Sequence, residues 1–499
     1  MNIAVLGAGI SGLSAAYRLR QLMPNATIRV FDRRNRYGGV LETLNRNGFQ
    51  IEQSADNFIT TIPWGVKLCK ELGLGEQLVQ TNPLVRRTYV VRSGRLYLLP
   101  DGFLMMAPTK LLPMAVTPIL SPFGKLRAGL ELFIPARKDN LDESMAHFVR
   151  RRLGREVFER LVEPLVSGVY AADMEKLSVL ATLPRFREME RDHGSLIRAM
   201  QKQLAANRAA HLAEQSGARY SMFVTLRNGL SSLCDALAKT LQPETLQIGR
   251  EVTKIQKTAE GQWLLETKIS DSRTATSQTA VSQKTSIISN VASPPVKSTF
   301  VETENFDAII FATPIHESSR LLRDSMPELA GKLAKIEHEG TAVATFAFNL
   351  DQIKQTFRGM GFVVPKAEQS PILAGSFSSL KYEHRAPDGK FLIRIFAGGS
   401  RSPELAELPA DRLIPLLWAE MRKILKINGE PLFTVIAHWS RTMPQYHVGH
   451  RELVQDIETL ANSEPTLALA GNAFHGVGIP NCIQSGFLAA EKLSASLVK

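Results

Sequence analysis

The sequence predicts a mixed α/β and α+β fold with more than one domain, and three observations predict it. A short apolar strand at the N-terminus runs into a glycine turn and a helix, as in a parallel βαβ unit. Between Thr341 and Gly399 short β-type runs alternate with turns, as in a mixed sheet. Between those regions lies a long stretch of helical character, first apolar and broken by prolines, then densely charged. At 499 residues the chain is longer than one hydrophobic core usually serves. The expected organisation is a discontinuous Rossmann-like dinucleotide-binding domain (1–85, 220–320 and 438–499), a helical, membrane-facing domain (86–219) and a mixed-sheet substrate-binding domain (321–437).

The first strand, Ile3–Leu6, is apolar throughout, as a parallel strand covered on both faces should be. Residues 7–12 form the turn, Leu13–Leu22 the helix and Thr27–Phe31 the second strand, which ends at Asp32. Gly7-Ala8-Gly9-Ile10-Ser11-Gly12 fits G-x-G-x-x-G. The first glycine permits the tight turn, the second brings the backbone up to a pyrophosphate, and the third lets helix and strand pack closely. Phosphates then meet free N–H groups at the positive end of the helix. Asp32, 20 residues beyond Gly12, can accept hydrogen bonds from ribose hydroxyls and would repel a 2′-phosphate.

From Leu98 to Pro135 the chain is rich in Leu, Met, Phe and Pro, and its few charges are mostly basic. Pro100, Pro108, Pro113, Pro118 and Pro122 interrupt any long helix, so the segment would lie on a membrane surface, line an apolar pocket or cap a core. Residues 142–219 read as helical and charged; Arg150-Arg151-Arg152 reads as a solvated face, with anionic lipid as the alternative. Residues 268–303, dominated by Ser, Thr, Gln and Val, read as an inserted, poorly ordered loop between strands at 262–268 and 307–312. The mixed sheet is expected from 342–348, 361–364, 372–377 and 391–396. A last strand, 467–470, leads to a glycine turn and a helix from about Ile483.

Composition bounds the function. Apolar residues make up 44% of the chain, which suits a large buried interior. The formal net charge of +12 favours nucleic acid, anionic lipid or a polycarboxylate substrate. No nucleic-acid motif accompanies the charge, so the last two lead and no nucleic-acid partner is expected. Cys69, Cys234 and Cys482 are far apart and form no CxxC pair, which argues against a disulfide framework or zinc site and fits a reducing compartment. The strand pattern starts at Ile3, leaving no room for a signal peptide, and no charge-free apolar run reaches about 18 residues. The expected location is cytoplasmic, with peripheral contact on the inner face of the membrane.

Two further motifs carry chemistry. Asp32-Arg33-Arg34-Asn35-Arg36-Tyr37-Gly38-Gly39 resembles the E-x-x-x-R-x-G-G pattern that follows the second strand of many FAD-binding oxidases. Ala470-Gly471-Asn472-Ala473-Phe474-His475-Gly476-Val477-Gly478-Ile479-Pro480 resembles the C-terminal flavin-binding segment of the protoporphyrinogen and coproporphyrinogen oxidases. Residues 163–171, His193-Gly194-Ser195, Arg385-Ala386-Pro387 and 439–450 extend the resemblance over nearly the whole chain, apart from 268–303. The chain is thus similar to the flavin-dependent porphyrinogen oxidases of haem synthesis, which share a fold with monoamine oxidases and phytoene desaturases.

That resemblance implies noncovalent FAD and the oxidation of a porphyrinogen in two-electron steps, with molecular oxygen as acceptor. Protoporphyrinogen IX leads as substrate. Coproporphyrinogen III is the alternative, and an amine or carotenoid a more remote one. Cofactor contacts are implied at Gly7, Ala8, Gly9, Ile10, Ser11, Gly12, Asp32 and Arg33. Arg36 would neutralise pyrophosphate, and Gly38 and Gly39 would pass close to the cofactor. Ser54, Ala55, Asp56 and Asn57 fall where the family places a Gly-Pro-containing turn against the flavin, and Ser54 and Ala55 depart from that pattern. Val252 would meet adenine through its backbone, Trp439 would lie near the flavin, and amides of Val477, Gly478 and Ile479 would face its pyrimidine edge. Arg87 corresponds to an arginine that binds a substrate propionate; the other reading is a surface arginine. Gly168 lies in a stretch whose carbonyl faces the substrate, unless a turn alone requires the glycine. His447, His450 and His475 read as structural, with no metal spacing. Expected partners are the porphyrinogen, oxygen, a membrane surface and neighbouring haem-pathway enzymes.

Overall fold

A computed structural model describes residues 1–213, 222–269, 280–282 and 301–497. Asn2–Leu6 (β1), Ile10–Leu22 (α1) and Thr27–Asp32 (β2) form the expected βαβ start. A five-stranded parallel sheet runs in the order Leu246–Ile248, β2, β1, Ala308–Phe311, Leu467–Leu469. Its strands are apolar because both faces are covered. Ile3 and Val5 pack with Leu13, Ala16 and Leu19 of α1, whereas Ala4 and Leu6 pack with Phe31, Phe306 and Ile309 on the other side. The helix starts at Ile10 rather than Leu13, so the second half of the glycine motif is its first turn.

Arg250–Lys257, Trp263–Ile269 and Val301–Phe306 form an antiparallel sheet over the second face, burying Val252, Ile255, Trp263 and Leu265. Val301–Phe306 therefore corrects the expected loop: it pairs with residues 263–268. The backbone of Ala280–Ser282 also pairs, with 434–436. The rest of the expected insertion lies outside the described residues.

The second sheet has eight strands, ordered Ala280–Ser282, Phe433–Pro444, His338–Asn349, Lys390–Gly398, Ala374–Phe377, Gly361–Val363, Thr88–Arg92, Arg95–Leu98. The last two belong to the stretch read as helical, yet they join this sheet; Phe433–Pro444 crosses the expected boundary at 438. Along His338–Asn349, Ala342, Ala344, Phe346 and Phe348 face the helix Ala410–Leu425, while Val343 and Ala347 face the other way, the two-residue period of a strand. Beyond that other face, Val90, Val363 and Ala374 join the core of the helical segments with Phe148, Leu161 and Val166.

The charged run on Met145–Leu153 is not one solvated face. Arg150 pairs with Glu175 near the surface, but Arg151 reaches Glu143 and Glu190, and Arg152 is wholly buried against Glu131. Among the described residues no helix is long and apolar enough to cross a membrane.

The C-terminal helix, Ile479–Leu497, lies against α1 at Gly486, where a Cβ would stand 2.3 Å from Ser11 O. Gly486→Val should destabilise the fold by about 2 kcal/mol or more through overpacking. Gly331→Ala, in a helix with nothing within 4 Å of the added methyl, should stabilise by about 0.5–1 kcal/mol. Denaturant unfolding checks both; equal effects would contradict the packing.

Candidate functional site

A crevice opens beyond the carboxyl ends of β1, β2, Ala308–Phe311 and Leu467–Leu469, enclosing about 1240 Å³ with its open mouth. Gly7, Gly9, Ser11, Asp32, Gly38, Gly39 and Val252 line it, with Thr313, Thr442, Gly471 and Cys482 from later in the chain.

The glycines have distinct reasons. Gly7 has φ +100°, and a Cβ there would meet Ala312 O at 2.6 Å. A Cβ on Gly12 would fall 1.8 Å from Gly7 O. At Gly9 a Cβ would have only Gly39 Cα nearby, at 3.9 Å, so this position keeps free space toward the crevice. Gly9 caps α1 without a side-chain hydrogen bond, and no acid stands in the first turn. The positive end of the helix is therefore open to an anionic group. Asp32 Oδ2 accepts from Ala8 N–H and Oδ1 from Arg34 N–H, each at 2.9 Å, which fixes the carboxylate at the strand end. These residues fit a dinucleotide.

Of the two arginines expected at the cofactor, one lines the crevice and one does not. Arg33 lines the crevice and pairs with Glu317 at 3.2 Å. Arg36 is engaged elsewhere: its guanidinium donates to Glu42 (2.9 Å) and Gly39 O (2.8 Å), and it does not line the crevice. Arg34 does line it, donates to Gly39 O at 2.8 Å and stacks over Trp439 at 5.4 Å. Trp439 is buried and donates from Nε1 to Gln53 O at 2.7 Å. The next residues form a braced turn. Ser54 Oγ donates to Val40 O at 2.6 Å, and Arg394 donates to Ser54 O. Asp56 receives Lys381 Nζ at 3.0 and 3.1 Å, Ala55 is exposed and Asn57 half-buried. Burial alone would raise the Asp56 carboxyl, but Lys381 and Arg394 outweigh it and hold it at about 2.

At the C-terminal segment, Gly471 and Asn472 line the crevice. Val477 packs toward the helical core, and Gly478 and Ile479 lead into the last helix. Burial pushes the Cys482 thiol, in the crevice wall, up to about 11. Reasoning from sequence missed Arg34, Thr313, Glu317, His338 and Thr442 as lining residues. Thr313 was findable, since it follows an apolar parallel strand much as Gly7 follows β1.

Arg87 is exposed and leads into Thr88–Arg92; its carbonyl accepts from Met360 N–H at 2.8 Å. Gly168 lies inside the helix Glu163–Tyr170 rather than in a turn, and a Cβ there would contact Ala374 Cβ at 3.8 Å and Val363 Cγ1 at 3.9 Å. Both residues thus border the strand Gly361–Val363.

Tyr446 frames the C-terminal loop, its hydroxyl donating to Asn472 O (2.6 Å) and accepting from Gly476 N–H (2.8 Å). His450 stacks on Tyr446 at 3.9 Å with Nε2 3.2 Å from Phe474 O, and burial lowers it to about 4. As pH falls, the unfolded chain protonates this ring near its ordinary 6.5, before the folded chain does. The stability is therefore whole above about 6.5 and is lost down to about pH 4, by on the order of 3 kcal/mol. Urea unfolding at pH 7 and pH 4.5 should show the loss, and His450→Gln should reduce the difference; an unchanged pH slope would contradict this.

The flavin containing amine oxidoreductase family matches this chain over residues 10–494. The coproporphyrinogen III oxidase of Bacillus subtilis (strain 168) is 30% identical over 98% of this chain and 97% of its own length. Protoporphyrinogen oxidase 2 of Arabidopsis thaliana is 26% identical over 98% of this chain and 93% of its own. A crystal structure from Exiguobacterium sp. 255-15, provisionally named a protoporphyrinogen oxidase, superposes with a TM-score of 0.82 at 26% identity, covering 100% of this chain and 99% of that one. With a dinucleotide crevice assembled from both ends of the polypeptide, the chain belongs to the flavin containing amine oxidoreductase family.

Proposed function

We propose that the chain binds FAD in this crevice and oxidises a porphyrinogen to the porphyrin in haem biosynthesis, coproporphyrinogen III before protoporphyrinogen IX. The observation that carries this reading is the end-to-end likeness to a coproporphyrinogen III oxidase. The sequence reading put protoporphyrinogen IX first; identity of 30% to the B. subtilis enzyme against 26% to the plant enzyme supports the other order.

The chemistry removes six hydrogens from the macrocycle, as three hydride and proton pairs. Three molecules of oxygen take up the electrons and protons and leave as three of peroxide. Bound flavin supplies the two-electron acceptor. The chain's own residues bind and orient. The open end of α1 holds diphosphate, Asp32 holds ribose, and the braced turn at Ser54–Asn57 supports the ring. Gly168 sits on a helix packed closely against Val363 and Ala374, and its exposed backbone would border the macrocycle. Arg87, exposed beside that strand, holds a propionate at the mouth.

A second reading concerns location. Leu112, Phe123, Leu126 and Phe133 are each at least 66% exposed, within one proline-broken stretch that also carries Lys110 and Lys125. This supports peripheral binding to anionic lipid.

Purified protein given each porphyrinogen in air should develop porphyrin fluorescence, with oxygen consumed and peroxide formed. No product from either, with FAD bound, would refute the activity. Arg87→Ala should raise KM about tenfold and leave flavin content unchanged; equal loss of both would remove its substrate role. Vesicles containing phosphatidylserine should retain the protein at low salt, and Phe123→Ser with Phe133→Ser should release it. A wild-type chain that stays unbound refutes the membrane contact.

A further inference from the structure

Five ionisable side chains lie buried together between the braced turn and the eight-stranded sheet. Arg385 donates to Glu52 at 2.7 Å, and both are almost wholly buried. Lys381 and Arg394 share Asp56, at 3.0 and 3.4 Å. Side-chain exposure is 11% for Lys381, 13% for Asp56 and 2% for Arg394. Three cations thus meet two carboxylates, and the excess positive charge sits at the Asp56 end, because Arg385 is matched by Glu52. Two further titratable neighbours stay neutral: burial pushes Tyr382 up, and burial with the nearby Arg385 and Arg227 lowers His384, 6.2 Å from the Tyr382 ring, to about 4.

A buried excess charge is costly unless something offsets it. Lys381 shows the cost: burial lowers its pKa against the pull of Asp56. The cluster also reaches toward the crevice. Arg394 donates to Ser54 O, and Ser54 Oγ donates to Val40 O, a crevice-lining residue. Trp439, over which the crevice-lining Arg34 stacks, donates to Gln53 O. The charge therefore stands behind the wall of the proposed flavin site, and reduction of a flavin adds negative charge there.

We infer that Lys381, held by Asp56 beside Arg394, is a positioning residue of the flavin site whose buried positive charge favours the reduced cofactor and raises its midpoint potential. The inference rests on the proposed flavin reading. Charge near the ring is one of the means by which a protein tunes a flavin, and at low dielectric it acts over several ångströms.

The test is the midpoint potential of the bound flavin in the holoprotein, by dye equilibration. Lys381→Met should favour the oxidised form about tenfold, a fall of about 30 mV for a two-electron couple. Lys381→Arg, which keeps the charge, should stay close to the wild type. Asp56→Asn keeps the cations and should raise the potential at pH 6; the rise should fade at higher pH, as Lys381 sheds its proton without a counter-ion. A defect of packing alone would not move the two substitutions in opposite directions. Unmoved potentials, shifts of one sign, or an arginine variant that moves as far as the methionine variant would overturn the proposal. If Lys381→Met fails to keep its flavin, the sign and pH dependence of Asp56→Asn decide. A wild-type chain without flavin overturns the cofactor reading itself, whereas flavin with unmoved potentials overturns only this inference.

Discussion

The site depends on a close approach between the two ends of the chain. Gly486 of the last helix stands against Ser11, and Gly12 against Gly7, so α1 is gripped on two sides by backbone. No residue with a Cβ fits either position without movement. The grip aims the first turn of α1 into the crevice and brings Gly471 and Cys482 to the same wall as Gly9 and Asp32. With glycine as the cap residue, leaving the helix end without a side-chain cap forgoes about a few tenths of a kcal/mol. A protein tolerates that where a ligand serves as the cap, and packing of Ile483, Phe487 and Leu493 into the core of α1 offsets it.

Two buried charge clusters show how burial separates structure from function. Glu131 accepts from Arg152, Ser195 and the amide of Leu196, and Arg152 also donates to the carbonyls of Ile134 and Gly194. Arg152 also lies 3.6 Å from Glu190, which pairs with Arg151 and Arg187, so acids and bases alternate and the hydrogen bonds of Glu131 are satisfied locally. This cluster ties the proline-broken stretch to the helices beneath it, and losing one partner would leave an uncompensated charge in the core. The Asp56 cluster is as deeply buried but unbalanced, and it borders the crevice wall. Balance, not burial, distinguishes a clamp from an electrostatic device.

What was legible in the sequence was local. The strand, glycine turn and helix could be read because three glycines at fixed spacing leave the backbone few alternatives, and β1 is apolar enough to be covered twice. The strands at 342–348 and 391–396 followed from their period. What was not legible needed a partner distant in sequence. Nothing local shows Arg36 turning to Glu42 while Arg34 faces the crevice, since the two share one loop and one charge. Arg152 looks like its neighbours until the helix phase sets it over Glu131, whereas Arg150 points to solvent. Thr88–Leu98 reads as part of the apolar segment that follows it, because its pairing partner, Gly361–Val363, lies far along the chain.

The same distinction governs the reading of the net charge of +12. Spread over the surface, it says only that acidic partners are favoured. In the folded chain many inner cations are already matched: Arg401 by Glu163, Arg152 by Glu131, Arg385 by Glu52. Exposed positive charge lies instead beside the strands Thr88–Arg92 and Gly361–Val363, where Arg87 and Arg358 stand on adjacent stretches of backbone. A porphyrinogen meets such a protein in two ways. Its macrocycle is apolar and gains by entering the interior, while its propionates lose solvation if they follow. Cations at the rim let the carboxylates stay wet while the ring goes in. On the proposed reading, a substrate with four propionates would gain more from Arg87 and Arg358 than one with two, which is the physical argument for proposing coproporphyrinogen III first.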